Sequence, residues 1–594
     1  MGYLLKYRKV LAGTFVVLVF LWVTVLTVDN YFGRPDMAFL ILSLSACPLV
    51  IVGLADKKEV LGVSAVDILA AAWFAYSLLN ALARWTCQTE DALIPVASTF
   101  VLYVVLRLTL PRRKNIGRVV VAGIAFAGLY ECTLGLLQLY GLAQSNHNVF
   151  KITGSFFNPG PYSVYVVMTL AVCLSYCCKR FRIYPPKRHW NWTGRTHFVG
   201  NMLFLLCAIG CVVGLLTLPA TLSRTAFAAL AIVLLILTGR KKPKVAAIVL
   251  LLILVFGFVL YFLKKDSADG RLLMWLVSLR AISRHPLFGC GLGSFHKVFS
   301  DSQKEYFISN PESSFVSVAG SPEYAFNDYL EIGVEQGLAG MLFFVSIIAI
   351  AIGKLLKKRE ETGLGLMALA VCAMFSYPFN LLPFRIAGCI FIAYAAILDE
   401  RPLAKITGWR RSVVTVAACL ACVFLLVPVY GRVKSKLIAT KDFAMDKILR
   451  IRTINDSHLQ RAKTLSDCPK YLFWLGKRLM AAGRYEESLE AFSLGSEVSC
   501  DNMFYVMMGK VCSSLKRSDA AEDCFLTAHY MQPCKIYPLY QLLLLYESDG
   551  KTDNAENVAR IILDTKPKVR SAATDEMKTY ALDFFGQNHK MTLR

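Results

Sequence analysis

Arg224, in the run Thr221-Leu222-Ser223-Arg224-Thr225, and Arg271, opening Arg271-Leu272-Leu273-Met274-Trp275, are cations set beside long apolar segments. Arg280, Arg284 and Arg385 lie in similar surroundings. A charge near a bilayer interior costs roughly 2.5–3.5 kcal/mol, so each of these residues needs a reason. Several guanidinium groups converging on one point would make a forked site for a diphosphate or a carboxylate. Snorkelling to lipid headgroups would account for any one of them alone.

A second set of residues could move protons or bind anions. Tyr324-Ala325-Phe326-Asn327-Asp328-Tyr329-Leu330 precedes Glu331 and Glu335, one helical turn apart, and then Gly337 and Gly340. These carboxylates suit acid–base work, and suit equally the start of a helix. Gly154-Ser155-Phe156-Phe157-Asn158-Pro159-Gly160 is irregular backbone that could offer N–H groups to an anion. His285-Pro286-Leu287-Phe288-Gly289-Cys290-Gly291-Leu292-Gly293-Ser294-Phe295 brings His285 and the following His296 into one stretch. Its three glycines imitate a dinucleotide fingerprint, but no strand precedes them, which excludes that reading.

The elements that must position these groups are membrane spans. Of 594 residues, 56% are hydrophobic and only 18% charged, with a mean hydropathy of +0.51. Soluble domains carry about 25% charge. Thirteen apolar stretches fall near 10–28, 37–54, 66–83, 92–110, 119–139, 162–178, 198–218, 221–238, 245–263, 329–352, 364–382, 386–398 and 412–429. Most have the length that crosses a bilayer. The predicted fold is therefore all-α: a polytopic bundle over 1–429, with 264–328 as a large outer loop.

The net charge of +24 would suggest nucleic acid on a soluble protein. Here the basic residues gather on alternate loops, among them Lys6/Arg8/Lys9, Arg112/Arg113/Lys114, Arg240/Lys241/Lys242 and Lys354/Lys357/Lys358. The other short loops hold Arg34, Arg84, Lys151 and Arg385. That asymmetry places the N-terminus in the cytoplasm. An odd number of spans then puts the loop 264–328 and everything after residue 429 outside. Residues 430–469 read as a linker helix and 571–594 as a C-terminal tail.

Between 470 and 570 a period of 33–34 appears. Leu475-Gly476, Tyr485 and Phe492 recur as Met508-Gly509, Arg517 and Phe525, with a third copy through Leu542, Tyr546, Gly550 and Ile562. The spacing resembles tetratricopeptide repeats, α-solenoids that commonly bind a protein partner. Of 18 cysteines, Cys468, Cys500, Cys512, Cys524 and Cys534 lie in the repeat region; the thirteen others lie in or beside spans and membrane loops, and Cys419 and Cys422 read as apolar filler rather than metal ligands.

In order and spacing, Gly154–Gly160, Leu222-Ser223-Arg224, Arg271 with Trp275, His285–Phe295 and Asn327–Gly340 resemble the O-antigen ligase family of membrane glycosyltransferases. The resemblance covers about residues 10–430. It implies a GT-C-like transferase that takes a glycan from an undecaprenyl-diphosphate donor at the periplasmic face of the bacterial inner membrane. No metal, nucleotide sugar or other cofactor would be needed. It casts Arg224 and Arg271 as donor-diphosphate binders, with Arg280 added to that set from its place in the loop. Asn158, His285 and His296 remain loop candidates.

One position departs from the family. A histidine should precede Asn327, and this chain has Phe326. Phenylalanine accepts no proton, so Glu323 and Asp328, which flank the vacancy, become the first choices for a base, with Asn327 beside them; Glu335, His285 and His296 follow. Lipid A–core is the first acceptor expected and a protein Ser or Thr the second. Chain polymerisation and an inactive assembly scaffold with a protein partner on the repeats are further alternatives.

Overall fold

The computed structural model describes residues 61–86, 88–110, 115–183, 195–238, 265–400, 402–449 and 455–592, with three isolated positions between 244 and 251. The spans expected near 10–28, 37–54 and 245–263 lie outside the described residues. The other ten are helices: α1 (Ala65–Ala83), α2 (Thr89–Thr109), α3 (Asn115–Leu139), α4 (Pro159–Ile183), α5 (Arg195–Thr217), α6 (Arg224–Thr238), α9 (Asp328–Lys357), α10 (Thr362–Ala373), α11 (Leu382–Ile397) and α12 (Gly408–Leu449). Seven of them, α1–α5, α9 and α12, are long and apolar enough to cross a membrane; α6, α10 and α11 are shorter. The protein is an all-α integral membrane protein.

Charge sorts to one end of the bundle. There Arg107 Nε meets Asp67 at 2.7 Å, Tyr103 donates to the same carboxylate, and Lys354 binds Asp399 and, at 2.7 Å, Ser64. A short antiparallel ladder, β1 (Leu61–Val63) with β2 (Ala404–Ile406), closes this end. The opposite end carries the segment expected as a loop. That segment is helical: α7 (Lys265–Arg284) and α8 (Phe295–Ser309), packed on each other and on α9.

The join between this cap and the bundle is a break in α9. At Gly337 the backbone leaves the helix at φ 69°, ψ −171°. Two rungs are thereby lost, those from Leu338 N–H to Val334 and from Ala339 N–H to Glu335. The 286–291 segment replaces all four groups. Leu338 and Ala339 N–H donate to the carbonyls of Pro286 and Leu287 at 2.8 and 3.3 Å, while Cys290 and Gly291 N–H donate to Val334 and Glu335 at 2.8 and 2.9 Å. The Gln336 carbonyl takes the Tyr76 hydroxyl at 2.5 Å. Main chain packs on main chain here. A Cβ on Gly289 would sit 2.5 Å from the Glu335 carbonyl, and one on Gly337 would sit 2.4 Å from that of Leu287. Both glycines also have positive φ. The glycine run that imitates a nucleotide motif is a backbone seam.

Beyond the bundle, α12 runs unbroken from Gly408 to Leu449 with Pro428 inside it, so no helix boundary falls at residue 429. The 430–469 segment is thus the end of α12, then α13 (Asp456–Thr464) and a turn. Three helical hairpins follow: α14 (Pro469–Ala481) with α15 (Tyr485–Glu497), α16 (Met503–Ser514) with α17 (Ser518–Met531), and α18 (Tyr537–Ser548) with α19 (Thr552–Asp564). Their first helices begin 34 residues apart. Gly476 and Gly509 lie under the Phe492 and Phe525 rings, where a Cβ would come within 2.6 and 2.5 Å, which explains why this glycine–phenylalanine pair recurs. The last helix, α20 (Ala572–Thr592), caps the array against α19.

The seam makes a direct prediction. Gly289→Ala adds a left-handed penalty of about 1–3 kcal/mol to a backbone clash. Gly353→Ala, in α9 where nothing lies within 4 Å of a Cβ, meets no obstacle. Thermal unfolding in detergent should show the first variant strongly destabilised and the second unchanged or slightly stabilised. Equal melting temperatures would refute the seam.

Candidate functional site

Arg224 is the first residue of α6, a helix with no acid in its first turn. A helix N-terminus already carries partial positive charge, so a cation there is unfavourable without an anion. The chain enters through Leu222 in the left-handed region, φ 48°. Arg271 reaches the same place from α7. One of its Nη atoms lies 3.5 Å from Thr225 Oγ1, and its guanidinium carbon lies 5.5 Å from the centre of the Phe326 ring. Burial, and then the neighbouring Arg224, pulls Arg271 down to about 10. Among the described residues no carboxylate forms an ion pair with either arginine. The result is a partly buried, uncompensated pair of cations beside free helix N–H groups, an arrangement suited to a phosphate or diphosphate.

Phe326 itself has φ 51°, a second non-glycine residue in the left-handed region. Its ring packs edge-on against Tyr377 at 5.0 Å, and Tyr377 stacks on Tyr324 at 4.2 Å. The Tyr377 phenol is raised by burial, then by Tyr324 and Glu323, and is lowered in part by Arg271. Tyr377 thus faces the cations on one side and Glu323 on the other. Only the Tyr377-Pro378 turn hints at it in the sequence, and that signal carries no chemistry.

The acids divide by what they hold. Asn327 is the N-cap of α9, its side-chain oxygen accepting from Tyr329 and Leu330 N–H at 3.1 Å. Asp328, only 2% exposed, accepts from Phe379 N–H at 2.9 Å and Asn380 Nδ2 at 3.1 Å. Glu331 accepts from Ala325 N–H at 3.0 Å and Asn380 Nδ2 at 2.9 Å. Glu335 is directed at the backbone of Gly293 and Phe295 at the start of α8. Asp328 and Glu331 fasten loops to α9, which corrects the expectation of Asp328 as a free base. Glu323 is exposed, and its carboxylate makes no hydrogen bond among the described residues.

Glu323 stands at the mouth of a cavity of about 410 Å³ between α1, α2, α8, α9 and α11. His296 lines the same mouth. Its Nε2 lies 3.1 Å from the Glu323 carbonyl oxygen and must donate there. Burial lowers His296 from its ordinary value, so the ring is neutral at pH 7 and Nδ1 keeps a free lone pair. Deeper in, the walls are Phe100, Ile347, Ile348 and Ile392, from the interiors of α2, α9 and α11. Arg385 also lines the cavity and spends its guanidinium on the carbonyls of Phe379 and Asn380 at 2.8 and 2.7 Å.

Four expected residues lie elsewhere. Arg280 is nine positions from Arg271 on α7, which at 3.6 residues per turn puts it on the opposite face; there it faces Glu305. Arg284 pairs with the same Glu305. His285 is exposed in the turn after α7. Asn158 caps the start of α4, accepting from Gly160 N–H at 2.9 Å. Its loop is held by Glu131, which accepts from Ser155 N–H at 3.0 Å and Ser155 Oγ at 2.5 Å.

The fold and site together define a multispan helical membrane protein with a cation pair and an acid-mouthed pocket at one end of the bundle. Residues 209–345 match the family described as O-antigen ligase. The match runs from within α5 to within α9 and takes in Arg224, Arg271, the glycine seam and the Asn327 motif. This part of the chain is O-antigen ligase-like. No curated protein matches the chain.

The division among the acids is testable by stability alone. Asp328→Ala strands a backbone N–H and an amide, at about 1–3 kcal/mol each. Glu323→Gln strands nothing. Thermal unfolding in detergent should fall clearly for the first and stay at the native value for the second; a comparable loss in both would overturn the division.

Proposed function

We propose that this protein transfers a glycan from a polyprenyl-diphosphate carrier to an acceptor hydroxyl at the extracytoplasmic face of the bacterial inner membrane. The observation that carries this reading is the uncompensated pair, Arg224 at the α6 N-terminus and buried Arg271. A diphosphate would supply the charge they lack. Binding it would bring little desolvation penalty for Arg271, which burial has already removed from water.

The reaction balances with the residues in place. The acceptor hydroxyl, lying in the cavity mouth, loses its proton to the Glu323 carboxylate as its oxygen bonds to the anomeric carbon. The bond from that carbon to the phosphate oxygen breaks, and both electrons leave with the diphosphate. Arg224 and Arg271 stabilise the charge that grows on the leaving group. Attack from the Glu323 side, opposite the cations, inverts the anomeric centre. Tyr377 and Phe326 form the partition between the two halves, and Phe326, in place of a family histidine, seats Arg271 instead of taking a proton.

The cavity favours a lipid-anchored acceptor. Its mouth is polar and its floor lies among apolar residues in the interiors of spanning helices, as a headgroup with a hydrocarbon tail requires. The free Glu323 carboxylate and the retained arginines both argue for an active enzyme over an inert scaffold.

Two measurements separate donor binding from chemistry. Arg271→Ala should weaken undecaprenyl-diphosphate binding about 10- to 100-fold, the worth of hydrogen bonds to a charged group. Glu323→Gln should leave that affinity unchanged and lower kcat about 10²- to 10⁴-fold. Donor binding that survives Arg271→Ala, or turnover that survives Glu323→Gln, would defeat the corresponding half.

A further inference from the structure

The C-terminal hairpins are built into the cavity wall. Asp467, in the turn before α14, and Val498, just after α15, line the cavity together with residues of the bundle. The attachment is specific and runs along α8. Lys297 Nζ bridges Tyr505 Oη at 3.0 Å and Glu497 at 3.3 Å. Gln303 donates to the Met531 carbonyl at 2.6 Å, and Lys304 to Thr527 Oγ1 at 3.0 Å. Cys500 Sγ donates to the carbonyl of His296 at 3.4 Å, and the Cys500 side chain is part of the apolar core of the α7–α8 cap. From the bundle side, the Gln88 amide donates to the Glu497 carbonyl.

The docked edge consists mainly of α15, α17 and the turns after them, with Tyr505 at the start of α16. The hairpins here act through their edge, on the catalytic cap.

We propose that this C-terminal array is a fixed part of the acceptor site and selects the acceptor headgroup. The inference rests on the reading of the cavity as the acceptor site. The array sits directly over His296 and Glu323, the polar mouth where a headgroup hydroxyl must lie, and leaves the apolar floor to the spanning helices. An acceptor headgroup therefore contacts Asp467 and Val498 before its hydroxyl reaches Glu323. The donor cations, across the Phe326–Tyr377 partition, make no hydrogen bond or ion pair with the array among the described residues. Changes on the array side should alter acceptor use and leave the donor alone.

The test uses the full-length chain in detergent, with an undecaprenyl-diphosphate-linked glycan as donor, undecaprenyl diphosphate alone as the binding probe for the donor site, and lipid A–core and a Ser/Thr peptide as acceptor probes. Val498→Trp fills the cavity from the array side. It should raise the KM for the acceptor about tenfold or more while donor KM and undecaprenyl-diphosphate affinity stay within about twofold. The milder Gln303→Ala/Lys304→Ala variant loosens the attachment to α8. Hydrogen–deuterium exchange at 292–296 and 323–331 should then rise about tenfold. An unchanged acceptor KM, or acceptor and donor parameters falling together, overturns the proposal, as does unchanged exchange. Transfer to the peptide in preference to the lipid would overturn headgroup selection. If the native chain transfers to neither probe, the functional reading fails, while the exchange measurement still decides whether the array forms the wall.

Discussion

Where α9 breaks at Gly337, two helical rungs are exchanged for four hydrogen bonds to the 286–291 segment, and the rest of the outer architecture hangs from that exchange. An unsatisfied backbone group inside a membrane costs several kcal/mol, so a broken helix is tolerated only where something replaces its partners. The replacement fixes the distance and direction of the cap, because main chain meets main chain with no side chain between. Arg84 and Asn80 at the end of α1 add their own bonds to the carbonyls of Gly289 and Phe288. The seam therefore sets where α7 ends and α8 begins. With them it sets where Arg271 stands relative to α6 and where His296 stands relative to α9.

Electrostatics follow from that frame. The three acids of α9 lie within two turns of its start, and two of them are consumed in holding loops: Asp328 the 378–380 turn, and Glu331 the approach to α9 together with that turn. Arg385 likewise serves carbonyls of the same turn. What remains uncommitted is informative for that reason. Glu323 on one side and the Arg224–Arg271 pair on the other form no ion pair among the described residues, and Tyr377 stands between them. Two of the four left-handed non-glycine residues among those described, Leu222 and Phe326, sit at the entrances to α6 and α9. Backbone strain of about 1–3 kcal/mol at each is retained where these helix starts are aimed at the site.

Much of this was legible in the sequence. Apolar blocks of spanning length located all ten described bundle helices, because burial in lipid leaves a long, uninterrupted signature. The hairpin period was legible through Gly476 and Gly509 under their phenylalanines. The cation pair was visible because charges beside spans are rare. Four things were not. Motif spacing could not say that Arg280 faces away from Arg271, since that depends on helical phase. It could not tell a free carboxylate from a fastened one, since Asp328 and Glu323 differ only in contacts made with a turn some 50 residues on. Nor could it show that the glycines at 289 and 337 face each other, or that the C-terminal hairpins return to α8, because such contacts leave no local pattern. Nor could it show that the span and the linker helix after residue 429 are one helix: α12 stays helical after its apolar stretch ends, and hydropathy alone does not mark a helix end.

The most direct measurement is an electron cryo-microscopy map of the full-length protein with an undecaprenyl-diphosphate-linked glycan bound. Diphosphate density should lie within hydrogen-bond reach of both Arg224 and Arg271 at the α6 N-terminus, with the glycan-bearing end directed past Tyr377 towards Glu323. Diphosphate density lodged elsewhere, with the two guanidinium groups unoccupied, would contradict the assignment of the donor site and the direction of transfer built on it.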